Sequence, residues 1–281
     1  MSRHRVVAVR VPFRLHLLVP PYSPASREEV PVGAPGVPFG AVVLWPLQRC
    51  AEAGLEWQSQ VRQLRQSIPF APVAGILDGD PDLQALDLAR RAAVWRLRAV
   101  VPARQASAAT LRAQLAAPAH LPDDLAEWAE VATGALDPAT RGLLTAFLEH
   151  ATLNGAAPAP GSGLPAKRPL RARLRAAGLP PPVEWKRFLR TLRLVLTAQA
   201  EPALSLTRLA LEHGYPDLPA ASHAFHDLFG LTLTQGRQLL GWEALAACWL
   251  ARSGAPAARR LVGFVPDSVK KDQAVPGRAS V

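Results

Sequence analysis

The sequence predicts an α/β N-terminal domain with a mostly parallel sheet, followed by an all-α C-terminal helix-turn-helix domain. Three observations carry that expectation. Short apolar or β-branched runs alternate with helix-period segments through the first half of the 281 residues. A Pro-, Gly- and Ala-rich stretch at 156–166 then interrupts every period. Beyond it only helical periods remain, and the charge shifts. Residues 1–160 hold 15 Lys+Arg against 14 Asp+Glu, whereas residues 161–281 hold 17 against 8.

In the first half, Val6–Val11, Phe13–Val19, Ala41–Trp45, Pro72–Asp78 and Leu97–Val101 read as strands. Leu55, Val61, Leu64 and Ile68 fall at helical spacing with Arg62 and Arg65 between them, so Leu55–Ile68 reads as a helix. Asp80-Pro81 starts another, with the carboxylate as N-cap and the proline in the first turn, where its missing N–H costs nothing. Further helices are predicted near Ser107–Ala116, Pro122–Ala132 and Pro138–Leu153. This domain is expected over residues 1–155 and the linker over 156–168.

The β-α-β-α order is similar to that of response-regulator receiver domains. Leu64-Arg-Gln-Ser-Ile-Pro69 precedes the run Val73-Ala-Gly-Ile-Leu77, as in the receiver approach to a fourth strand, and Val101-Pro102 stands where that family has Lys-Pro. Trp45-Pro46-Leu47 occupies the place of the phospho-acceptor Asp, and Val19-Pro20-Pro21 that of the acidic pair. Without carboxylates there is neither an Mg²⁺ site nor a phosphoryl acceptor. The resemblance therefore implies a degenerate, receiver-like domain, kept for homodimerisation or for sensing a small-molecule effector.

In the second half, residues 169–252 form the predicted helical domain. Trp185, Phe188, Leu189, Leu192, Val195 and Leu196 make an apolar stripe on a long helix over Glu184–Ala200. Lys186, Arg190 and Arg193, with Arg187 beside them, make a cationic one. Next, Ser205 is a good N-cap and Gly214 a good left-handed terminator for a short helix whose inner side is Leu206, Leu209 and Ala210. A second helix begins near Leu218-Pro219, carries Ala221, Phe225, Leu228 and Phe229 inward, and closes at Gly230. Two short helices around a glycine-containing turn are a helix-turn-helix.

Leu209-Ala210, Gly214-Tyr215, Phe225, Phe229-Gly230, Thr232 and Arg237 together resemble the signature of AraC/XylS-type transcription regulators over about residues 170–240. The resemblance implies two helix-turn-helix units joined by the long helix, with Leu170–Gly178 opening the first. It also implies duplex DNA as partner. Departures from the pattern are Ala221 for the first recognition-helix Phe, Pro219 for Ser, His223 for a basic residue, Asp227 at another polar or basic site, Leu233 for Pro and Gly236 for Tyr. On this reading Lys186, Arg187, Arg190, Arg193, Ser205, Arg208, Arg237 and His226 contact phosphate or groove, while Asp217, Ala220, Ser222 and His223 face the bases.

Other chemistries have little support. Asp78-Gly-Asp80-Pro-Asp82 lacks the glycine and glutamate that an EF-hand loop needs at positions 6 and 12, which here are Leu83 and Ala89. His223 and His226 alone are too few for a metal. No phosphate-binding loop, dinucleotide fingerprint, nucleophile elbow or His-Glu-x-x-His motif occurs. Cys50 and Cys248 have neither zinc spacing nor a disulfide framework. No apolar run reaches the roughly 18–20 residues of a membrane span. Residues 253–281 read as a basic, disordered tail. The sequence thus predicts a cytoplasmic, non-enzymatic, cofactor-free regulator that reads specific DNA sequences. The alternative is a helix-turn-helix that no longer reads DNA and instead serves as a protein–protein interaction or scaffold module.

Overall fold

The computed structural model describes residues 14–20, 22, 27–31, 37–48, 64–77, 87–90, 97–134, 136–153, 167–261, 263 and 265–269. Strands β1 (Arg14–Leu18), β2 (Arg27–Pro31), β3 (Val42–Pro46), β4 (Val73–Leu77) and β5 (Ala99–Pro102) form one sheet in the order β2-β1-β3-β4-β5. The expected runs at Phe13–Val19, Ala41–Trp45, Pro72–Asp78 and Leu97–Val101 all hold strands. The Val6–Val11 run, the Asp80-Pro81 start and the Asp78–Asp82 loop lie outside the described residues.

The expectation of a mostly parallel sheet needs correction. β3–β4 and β4–β5 are parallel, but β1 runs antiparallel to both β2 and β3. The physical reason is chain length. Only residues 19–26 separate β1 from β2, too few for the dozen or more that a parallel crossover takes. β2 itself (Arg-Glu-Glu-Val-Pro) has no alternating apolar pattern, which is why the sequence did not announce it. β3 and β4 are buried at every position, as strands covered on both faces should be.

After β5 the chain is helical: α1 (Ala108–Leu115), α2 (Leu121–Thr133), α3 (Pro138–Leu153), α4 (Lys167–Ala176), α5 (Pro182–Ala200), α6 (Leu206–Glu212), α7 (Leu218–Phe229), α8 (Leu233–Gln238) and α9 (Glu243–Arg252). Residues 64–67 and 87–90 are also helical. Local chemistry explains the boundaries. Ser107 caps α1 by accepting from Thr110 N–H at 3.2 Å, and Gly134 ends α2 in the left-handed conformation at φ 63°. Thr232 and Gln235 close a reciprocal capping box on α8.

α9 went unread in the sequence. Glu243 through Leu250 are all buried, so it has no polar face to give it a helical period. Its Trp249 stacks on Phe188 of α5 at 4.2 Å and meets Trp185 edge-on at 4.6 Å. The packed chain also runs further than the tail expected from residue 253. Pro256–Arg260 and Asp267–Val269 are 3₁₀ turns, and Ala258, Leu261, Val265 and Val269 are buried.

One apolar core reaches from Leu17, Val43 and Val73 of the sheet to Trp242 and Leu245 of the C-terminal helices. The joint lies at the amino ends of the parallel strands. Gly40, just before β3, faces Leu239; Pro72, just before β4, faces Gly241; Arg98, just before β5, donates to Glu243. The Tyr22 hydroxyl donates to Gly40 O at 2.7 Å and accepts from Leu240 N–H at 3.3 Å.

The centre of this joint is ionic. Arg98 is buried with Nη1 2.5 Å from Asp124 of α2, Nε 2.7 Å from Glu243 of α9, and its guanidinium 4.9 Å over the Trp242 ring. Arg65 pairs with Glu127 at 2.8 Å alongside, and burial, with Arg98 nearby, brings its guanidinium down to about 10. A cavity of only about 10 Å³ lies among Arg65, Arg98, Glu127 and Glu243. Removing one partner from such a pair leaves uncompensated buried charge, at a cost of roughly 3–5 kcal/mol. Urea denaturation of Arg98→Ala is therefore expected to show a loss of about that size, with the sheet and the C-terminal helices unfolding in separate steps. A variant as stable and as cooperative as wild type contradicts this account of the joint.

Candidate nucleic-acid interface

α6, the turn 213–217 and α7 form the helix-turn-helix. Its inner side is set by Leu209, Ala210, Ala221, Phe225, Leu228 and Phe229, all buried. Asp217 caps α7 by accepting from Ala220 N–H at 2.7 Å, and Gly230 closes it at φ 67°. Gly236 has a specific reason to be glycine. A Cβ there would lie 2.2 Å from Phe225 Cζ, so the Phe225 ring fills the space that a larger residue would take.

The turn itself is clamped from α5. Arg190 donates through Nε to His213 O at 3.1 Å and through Nη2 to Gly214 O, and its guanidinium lies 4.0 Å over the Tyr215 ring. Tyr215 OH meets Thr191 Oγ1 at 2.8 Å, and Thr197 Oγ1 meets His213 Nε2 at 3.2 Å. Arg237 holds the other end of α6 by donating to Pro202 O and to Leu204 O. Arg190 and Arg237 therefore hold backbone carbonyls of the unit rather than standing ready for phosphate. At the C-terminal end of α6 the carbonyls of His213 and Gly214 lack helical N–H partners, and a charged, forked donor suits them.

The remaining predicted residues divide by position. Arg187 pairs with Asp227 at 3.0 Å and Arg208 with Glu212 at 2.7 Å, all four exposed. Lys186 Nζ sits 6.0 Å from the Phe147 ring and so is turned toward α3. Arg193 is exposed beside His213. Ser205 is the N-cap of α6 without a capping hydrogen bond from its side chain. Ala220 and Ser222 are half-buried, while His223 and His226 are exposed. The outward side of α7 thus presents Pro219, Ala220, His223, His226 and Asp227, and the sheet does not cover it.

Sequence reasoning missed the contributions of Tyr215, Thr191, His213 and Asp227. The Gly-Tyr pair marked Tyr215 as a signature residue but not as a platform for an arginine. Arg252, which donates to Asp227 O and to Val269 O, had no sequence signal at all, because its partners lie 25 and 17 residues away.

Among the described residues no cluster of three or more His, Cys, Asp or Glu could hold a metal, and no helix is long and apolar enough to cross a membrane. Burial pushes the Cys248 thiol up to about 12, which leaves it a poor nucleophile at neutral pH. Comparison with known protein families, with curated proteins and with solved structures finds no match to this chain.

Two predictions concern the clamp. Arg190→Ala is expected to lose about 1–2 kcal/mol in urea denaturation, and Arg190→Lys to recover little of it, since an ammonium lacks the planar fork that reaches both carbonyls while lying over the Tyr215 ring. The second concerns pH. Burial, with Arg193 and Arg190 nearby and Glu212 acting oppositely, holds the His213 imidazole below its ordinary value. The unfolded chain then takes up the proton first as pH falls. The stabilisation is present above about 6.5 and is lost as pH drops through the lower folded value. The urea midpoint of wild type should therefore fall more between pH 7.5 and 5 than that of His213→Gln.

Proposed function

We propose that the protein is a cytoplasmic, sequence-specific DNA-binding transcription regulator of the AraC type that docks duplex DNA through α6 and α7. The observation that carries this reading is the helix-turn-helix itself. Its inner stripe is locked into the core, its turn is clamped, and the outward side of α7 is open. A helix held in that way fits the roughly 12 Å major groove. The Ala220 methyl suits a thymine methyl, and the exposed His223 and His226 side chains offer hydrogen bonds to base edges or phosphate. The sheet is left for homodimerisation or for a small-molecule effector. The protein has no catalytic role in this reading.

A second reading has its own support. α7 presents no Arg, Asn or Gln outward, and Arg187, Arg190, Arg208 and Arg237 are each engaged within the protein. A module with such a surface suits a protein partner rather than a base code.

Fluorescence anisotropy with random and genomic duplexes separates the two. Regulator function predicts log K falling linearly with log salt, by about 0.9 per phosphate contact, with tighter binding to a subset of genomic fragments. Absence of any duplex binding at low salt, together with capture of a protein partner, would decide for the interaction module.

A further inference from the structure

The cations that the sequence assigned to DNA are largely occupied, yet the C-terminal half keeps a large positive excess. We infer that the phosphate contacts of this protein come chiefly from a cationic ridge on α4 and the 256–260 turn, not from the helix-turn-helix. This inference rests on the DNA-binding reading above.

α4 carries Lys167, Arg168, Arg171, Arg173 and Arg175 within ten residues and has no acidic residue. No Asp or Glu occurs between Glu149 and Glu184. Leu170 and Leu174 are buried and fix which side of α4 packs inward. Arg171 and Arg175 are exposed, four residues apart, and so neighbours along the helix. Among the described residues neither side chain has an ion pair or hydrogen bond. Arg173 has one acidic neighbour, Asp137 at 3.5 Å, with both side chains exposed.

The 256–260 turn adds to the same end. Ala257 N–H donates to Gly178 O at 3.2 Å, two residues past α4. A Cβ on Gly178 would lie 3.2 Å from Ala257 N. The exposed Arg259, also without a partner among the described residues, is thereby brought to the C-terminal end of α4.

The contrast with α5–α7 is physical. There, each of Arg187, Arg190, Arg208 and Arg237 has an acceptor inside the protein, and transferring it to phosphate means breaking that contact. On α4 the like charges repel one another, which weakens the helix slightly, and at Arg171 and Arg175 no side-chain contact among the described residues must be broken before a phosphate approaches. Closely spaced cations on a fixed helix gain most from a polyanion whose charges are themselves closely spaced, and duplex DNA carries one per about 1.7 Å.

The test uses the full chain with Arg171, Arg175 and Arg259 all changed to Gln, and a second variant with all three changed to Lys. Duplex binding is measured at several salt concentrations, and Tm for each protein. The ridge predicts that the Gln variant loses about 2–3 from the slope of log K against log salt. The Lys variant keeps the wild-type slope, and the Gln variant has a Tm equal to or above wild type, because like-charge repulsion has been removed. A Gln variant with the wild-type slope overturns the ridge while leaving the regulator reading intact. Wild-type protein without salt-sensitive duplex binding overturns the regulator reading itself.

Discussion

The Arg98 side chain is only 7% exposed. It stands where the first half of the chain meets the last, with a carboxylate from α2, another from α9 and an indole face against its guanidinium. A guanidinium in that position tolerates little displacement. Moving α9 away from β5 would strand Glu243 and half of the Arg98 donors in an apolar core. The constraint reaches beyond the ion pairs. α9 packs Trp249 on α5, α5 supplies Arg190 to the turn 213–217, and that turn sets the direction of α7. Fixing the position of one buried cation thus fixes how the helix-turn-helix is presented relative to the sheet.

The distribution of positive charge has a similar logic. An arginine can serve a fold or a polyanion, but each use takes the same donors. In α5–α8 the fold claims them. Arg190 and Arg237 satisfy carbonyls at both ends of α6, and Arg187 offsets the carboxylate of Asp227 on the outward side of α7. α4, with no carboxylates of its own, keeps Arg171 and Arg175 exposed. A net charge read from composition measures the sum of these two populations and does not separate them.

Much of the architecture was legible because it rests on local periods. The stripe from Trp185 to Leu196 gave α5, and the glycine-delimited pair 205–230 gave α6 and α7 almost to the residue. What stayed hidden had no local signature. β2 is charged and short, and α9 is apolar on all sides. The antiparallel β1 follows from a short connection rather than from any strand residue. The site was less legible than the fold. Asp217 looked like a base-reading candidate and is an N-cap; Arg190 looked like a phosphate ligand and is a clamp. Residue type announces what a side chain is able to bind, whereas only the folded chain shows what already binds it.

The seating of the C-terminal helices on the amino ends of β3, β4 and β5 leaves the opposite rim of the sheet out of the joint. Among the described residues that rim holds none of Tyr22, Arg98 or Glu243. Evolution is thereby free to rewrite one end of the strands while the other stays under strict geometric control. A chain built this way separates the end of its strands that carries the joint from the end that is open to change.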